Sequence, residues 1–192
     1  YSSAASDVYK RQLDDSYRNG RHTDTLRRSA LGLVGVYNLL PELVVRHTNR
    51  ARVYVDYSHT PNALRAALAA LRPHAEGDLH VIFGCGGNRD QGKRYEMGDI
   101  AQTMADRVIV TDDNPRSESP AAIRQAILEA CPSALDVADR QEAILQAVSQ
   151  LAPEDLLLVA GKGHEQSQIV ENRVIPFDDV SLCRDALAGA GG

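Results

Sequence analysis

Residues 79–94 read Leu-His-Val-Ile-Phe-Gly-Cys-Gly-Gly-Asn-Arg-Asp-Gln-Gly-Lys-Arg, an apolar, partly β-branched run that gives way to a glycine-rich, cationic segment. The first five residues have the character of a strand buried on both faces, and the glycines that follow are the punctuation of a strand-to-helix loop. The helix is predicted over 95–105, where apolar residues return at three- and four-residue spacing. The same alternation repeats outward in both directions. Strands are predicted at 52–56, 79–83, 107–111, a weaker one near 134–137, and 156–160, with helices at 62–71, 95–105, 120–130 and 140–151. Short apolar strands alternating with helical segments describe an α/β fold, a Rossmann-like and mostly parallel sheet with helices on both faces. Beyond Glu165, the runs 167–170 and 173–175 flank Glu171-Asn172 and predict a small β-hairpin, followed by a helix over 178–187.

The first fifty residues lack this order. Residues 1–28 are polar and show neither period, and the apolar run 30–40 is interrupted by Pro41 ahead of Leu43 to Val45. The expected organisation is therefore an irregular or non-native segment over 1–50, a folded domain over 51–188 and a frayed end at 189–192.

Composition narrows the classes of function. A net charge of −5 with scattered basic residues offers no footprint for nucleic acid. Apolar runs are too short to span a bilayer, and the chain does not open on a secretory signal, so neither a membrane nor a nucleic-acid partner is expected. Cys85, Cys131 and Cys183 are odd in number and widely spaced, which fits a reducing cytoplasm and no disulfide framework. Cys85 with His59 and His164 lacks metal-ligand spacing, and no metal ligand is expected. A nucleophile elbow of the GxSxG type is absent.

Four polar or glycine-rich segments each follow a predicted strand: 57–61, 84–94, 112–116 and 161–165. In an open parallel sheet such loops gather at the carboxyl edge, where ligands bind. Gly84 to Arg89 begins like a dinucleotide fingerprint, but Arg89 occupies the place of its third glycine. Gly87 to Lys93 has Walker A spacing, but Arg94 stands where a hydroxyl must meet Mg²⁺. What remains is a loop able to expose backbone N–H groups and bearing Arg89, Lys93 and Arg94, suited to phosphate or carboxylate. Asp112-Asp113-Asn114-Pro115-Arg116 joins a proline-fixed turn to an amide and a guanidinium fork that can grip a carboxylate. Gly161-Lys162-Gly163-His164-Glu165 permits a tight turn and offers Glu165 to an ammonium group. Lys93 and Lys162 are two of only three lysines in the chain, a weak sign of local roles.

Taken in order, these loops resemble the C-terminal domain of the Mur ligases, and within that family its MurE branch. Residues 55–61 are similar to the family's DYAHTP, 83–94 to FGCGGDRDxGKR, 111–116 to TDDNPR and 160–165 to AGKGHE. The resemblance covers about 51–187. It implies ATP-dependent amide formation, in which the D-glutamate carboxylate of UDP-N-acetylmuramoyl-L-alanyl-D-glutamate is phosphorylated and then attacked by the amine of meso-diaminopimelate. It also implies that Arg89 and Arg116 take a diaminopimelate carboxylate, that Asp113, Asn114 and Pro115 complete the recognition turn, and that Gly161 and Glu165 receive the distal amino group. His59, Asp90, Lys93 and Arg94 would face the nucleotide. In the family, ATP and Mg²⁺ sit mainly on a central domain with a GTNGKT-type loop, and an N-terminal domain takes the UDP-sugar. Neither pattern occurs in these 192 residues. Gly35 to Leu40 is similar to the end of that central domain, without its continuation or the GRME-like lead-in to the first strand. The resemblance thus implies that this chain contributes the amino-acid-binding domain and does not ligate alone.

Overall fold

A computed structural model describes residues 42–46, 50–171 and 173–189. A six-stranded sheet runs through the described part in the order β1-β2-β6-β3-β4-β5. Its strands are β1 (Glu42–Arg46), β2 (Arg52–Asp56), β3 (Leu79–Phe83), β4 (Arg107–Val110), β5 (Leu135–Asp136) and β6 (Leu156–Ala160). β2 to β6 pair in parallel, while β1 joins the edge of β2 antiparallel with a register shift between Leu43 and Val45. The helices are α1 (Pro61–Leu71), α2 (Gly92–Met104), α3 (Pro120–Leu128), α4 (Arg140–Ser149) and α5 (Asp179–Gly189). A separate two-stranded sheet, β7 (Ser167–Val170) and β8 (Arg173–Pro176), is the hairpin expected around 171–172.

Period-two alternation in the strands divides the interior into two layers. Tyr54, Val81, Phe83, Val108, Val110 and Leu158 point to one face, where Leu64 and Leu68 of α1, Met97 and Ile100 of α2, and Ile123 and Ile127 of α3 cover them. Val53, Val55, Ile82, Ile109, Leu157 and Val159 point to the other, against Ile144 and Val148 of α4 and Cys183 and Leu187 of α5. Local chemistry starts the helices where the sequence places them. The side chains of Thr60, Ser119 and Asp139 each accept a hydrogen bond from an otherwise unpaired N–H in the first turn, and Pro61 and Pro120 follow the first two.

The expected helices and strands are all present, with ends moved by a few residues; α2 starts at Gly92 rather than 95, because Asp90 Oδ1 accepts from Gly92 N and opens the turn early. The departure is β1. Residues 42–46 lie within the segment expected to be irregular, yet they complete the sheet, so the domain takes in chain ahead of residue 51. Five residues without clear alternation, just after a proline, carry too little pattern to read as a strand; the pairing edge of β2 supplies what their sequence does not. The expectations for 1–41, 47–49 and 190–192 lie outside the described residues.

Candidate functional site

The loops after β2, β3, β4 and β6 meet at the carboxyl edge of the sheet and line one cleft of about 640 Å³. Tyr57, His59 and Thr60 come from the first loop; Arg89, Asp90 and Lys93 from the second; Asp113, Asn114 and Arg116 from the third; Gly161 and Glu165 from the fourth. The turn at 113–116 and the turn at 161–165 are in direct contact. Asn114 Nδ2 donates to Glu165 Oε2 at 3.0 Å, and Lys162 Nζ reaches both Asn114 Oδ1 and Glu165 Oε2 at 3.2 Å.

The 113–116 turn is held from below by the hairpin. Ile169 N donates to Asn114 Oδ1 at 2.9 Å, Gln168 Nε2 to the Asp113 carbonyl at 2.6 Å, and Arg116 N to the Ile169 carbonyl at 3.1 Å. Glu171 N returns to the Arg116 carbonyl at 2.7 Å. This backbone pairing supports Arg116 at φ 54, a left-handed conformation that costs an ordinary residue free energy. Arg116 Nη1 donates to the Gly87 and Asn114 carbonyls at 2.9 and 3.2 Å, which fixes the guanidinium at the cleft wall and leaves Nε and Nη2 out of those bonds. Asp113 is buried, lines the cleft and makes no side-chain hydrogen bond among the described residues. Its Oδ2 would lie 2.8 Å from a Cβ at position 161, and Gly161 itself has φ +115, so both space and backbone require glycine there.

In the first loop, His59 Nδ1 lies 2.8 Å from the Tyr57 carbonyl, and the Tyr57 ring lies near the His59 and His164 rings, with centroids 4.5 and 5.3 Å away. Burial first, and then the neighbouring Glu165 carboxylate, push the Tyr57 phenol above its ordinary pKa, so it stays a neutral donor. Lys93 Nζ donates to the His59 carbonyl at 2.9 Å, which ties the second loop to the first.

Of the residues singled out from the sequence, Arg89, Asp113, Asn114, Arg116, Gly161 and Glu165 line the cleft, as do His59, Asp90 and Lys93. Two do not. Arg94 is buried on the inner side of α2, where Nη2 donates to Glu118 Oε2 at 2.9 Å; it faces the loop that follows β4, not the cleft. Pro115 is likewise buried, its carbonyl pressed against Gly87, and it is not among the residues that line the cleft. The glycine-rich loop is partly paired within the domain. Gly87 N bonds to the Asn114 carbonyl, Asn88 N to Glu118 and Gly92 N to Asp90, while Gly84, Gly86, Arg89 and Asp90 line the cleft. Its glycines also serve close approach: a Cβ on Gly84 or Gly87 would fall inside contact distance of the Thr111 or Pro115 carbonyl. Two residues with a part in the site went unassigned in the sequence, Tyr57 and Lys162. Both stand inside the matching motifs, and the scarcity of lysine was the one signal for Lys162.

The match to a known family can be set on this geometry. Residues 42–163 match the family model described as Mur ligase, glutamate ligase domain, a span that starts at β1 and ends within the fourth loop. The chain belongs to that family. It is 53% identical over 150 residues to the UDP-N-acetylmuramoyl-L-alanyl-D-glutamate--2,6-diaminopimelate ligase of Zymomonas mobilis, covering 76% of this chain and 31% of that protein. It is 56% identical over 146 residues to the ligase of the same name from Caulobacter vibrioides, covering 76% of this chain and 30% of that one. This Mur ligase chain thus spans about a third of the length of the curated relatives it matches. A solved ligase of the same name superimposes with a TM-score of 0.73 at 33% identity, over 92% of this chain and 37% of that one. UDP-N-acetylmuramate-alanine ligase of Thermotoga maritima, at 18% identity and a TM-score of 0.53, shares the fold.

Proposed function

We propose that this chain supplies the amino-acid-binding C-terminal domain of a cytoplasmic, ATP-dependent ligase that adds meso-diaminopimelate to UDP-N-acetylmuramoyl-L-alanyl-D-glutamate in peptidoglycan precursor synthesis. The observation that carries the reading is the contact between the Asn114/Arg116 turn and the Glu165 turn, which sets cationic and anionic groups side by side at one cleft. The distal end of diaminopimelate is itself a zwitterion. Arg116, with Arg89 beside the cleft, takes its carboxylate; Glu165 and the turn at Gly161 take its ammonium; Asn114 spans the two. Lysine carries the ammonium without the carboxylate and leaves Arg116 unanswered, which is the basis of discrimination.

In this reading the ligase activates the D-glutamate carboxylate as an acyl phosphate, and the amine of diaminopimelate displaces phosphate. ATP with Mg²⁺ supplies the phosphoryl group. On this domain His59, Asp90 and Lys93 face the cleft and are the side chains assigned to its nucleotide side; Arg94 is not. Among the described residues no group of three His, Cys, Asp or Glu that could hold a metal ion is found. Nor is any described helix long and apolar enough to cross a membrane. The 192-residue polypeptide is expected to bind its amino acid and to ligate nothing alone, since no GKT-type phosphate loop occurs in it.

The test is a titration of the ¹⁵N-labelled chain with meso-diaminopimelate and with lysine, each to tens of millimolar. Diaminopimelate should move the amides of 113–116 and 161–165 at lower concentration than lysine, and Arg116→Ala should remove that preference, a loss of about tenfold or more. Equal responses to both amino acids in the native chain, unchanged by Arg116→Ala, would refute the assignment.

A further inference from the structure

Lys162 is fully buried, and a buried ammonium is a costly filler where a methionine of similar length would pack without losing hydration. Its two bonds go to the two side chains on which the proposed amino-acid site depends, Asn114 and Glu165. We infer that Lys162 is a positioning residue that holds the Glu165 carboxylate beside the Asn114 amide, so that the two present an acceptor and a donor together to the ligand. The inference rests on the reading of this cleft as an amino-acid site.

The argument is one of counting lone pairs and hydrogens. Asn114 Oδ1 accepts from Lys162 Nζ and from Ile169 N, which uses both of its acceptor sites. The amide nitrogen is therefore the only end of Asn114 left to meet a ligand. One of its hydrogens goes to Glu165 Oε2, and the second remains for a carboxylate. On Glu165, the bonds from Lys162 and Asn114 both fall on Oε2, so Oε1 takes part in neither. A donor from Asn114 beside an acceptor from Glu165 is the complement of an ammonium and a carboxylate on one carbon. Without Lys162, Asn114 keeps its bond from Ile169 and Glu165 keeps the one from Asn114, but Glu165, whose side chain is 34% exposed, loses its ion pair with the buried ammonium and is held less firmly against the pull of water. The effect of Lys162 on binding thus runs through Glu165.

That route makes the inference testable by a double-mutant cycle on the full chain. Native protein, Lys162→Met, Glu165→Gln and the double variant are titrated with meso-diaminopimelate, and the Asn114 side-chain NH₂ signals are recorded without ligand. Lys162→Met should weaken binding at least tenfold, and the double variant should be no weaker than the poorer single one. Binding by Lys162→Met within twofold of native, or two losses that multiply independently, overturns the inference. If the native chain shows no response to diaminopimelate, the site reading falls, and the ligand-free signals still decide the positioning role. The Asn114 hydrogen bonded to Glu165 should shift and exchange faster in Lys162→Met; an unchanged pair overturns it. Should Lys162→Met fail to give the native amide spectrum, Lys162→Gln, uncharged but able to donate, replaces it. An intermediate loss is then expected, and native affinity is the overturning result.

Discussion

Replacing Asp56 by Asn should make the domain more stable at alkaline pH and leave it nearly unchanged in acid. Asp56 ends β2 inside the sheet, where burial raises its pKa from 3.8 to about 7, against the lowering effect of the Tyr57 and Ser58 backbone N–H groups. The Ser58 hydroxyl, itself fully buried, donates to Asp56 Oδ2. The sign follows from proton counting. Below about pH 4 the carboxyl is protonated whether the chain is folded or not, and it costs nothing. As pH rises, the unfolded chain gives up this proton first, so the folded state loses stability up to about pH 7, where the loss levels off. At about 1.4 kcal/mol for each tenfold change in proton affinity, the full loss is about 4 kcal/mol, of which roughly 2–3 falls between pH 5 and 8. Asparagine keeps the shape and can still accept from Ser58, without a charge to bury. Urea unfolding of both proteins by circular dichroism at pH 5, 6, 7 and 8 measures the gap between them, and groups that titrate identically in both cancel. A gap that stays constant to within about 0.5 kcal/mol over that range would show that burial does not hold the Asp56 proton, and the reasoning would fail.

Arg140 and Asp179 form an ion pair with both side chains fully buried, and Arg140 Nη2 also donates to the Ala160 carbonyl just ahead of the fourth loop. Removing one partner strands the other charge, so Arg140→Met should cost about 3–5 kcal/mol in chemical denaturation, and a cost under about 1 kcal/mol would refute that account. Gly87→Ala would set a methyl group against the Pro115 carbonyl; it should cost about 1–3 kcal/mol and displace the amide signals of Asn114 and Arg116 without any ligand. An unchanged spectrum would mean that the second loop does not support the third.

Much of this is legible in the sequence. The β2, β3 and β6 strands are apolar runs between turn residues, and the caps at Thr60, Ser119 and Asp139 mark helix starts by chemistry that is local in sequence. The cleft was legible too, because parallel topology forces loops that follow strands to one edge. What escaped was tertiary. β1 is a strand because β2 offers an edge to it. The side of α2 on which Arg94 falls depends on where Glu118 sits, 24 residues away. Three N–H groups of the glycine-rich loop, those of Gly87, Asn88 and Gly92, bond to Asn114, Glu118 and Asp90, and no local pattern reveals the first two partners.

The strand order explains why those glycines matter more than their resemblance to a phosphate loop suggests. The turns that carry Asn114 and Glu165 follow β4 and β6, and β3 lies between these two strands. Strands two positions apart in a sheet are separated by roughly 10 Å, so the turns can touch only by closing over the end of β3. Whatever emerges from β3 must therefore be low. Gly84 lies beneath the Thr111 carbonyl and Gly87 beneath that of Pro115, while a Cβ on Gly86 would come within 2.8 Å of Arg116 Nη1. A side chain at Gly84 or Gly87 would push the third loop away from the sheet and break the bond from Asn114 to Glu165, and one at Gly86 would displace the Arg116 guanidinium. The glycine run allows two loops, 51 residues apart at that bond, to make one site.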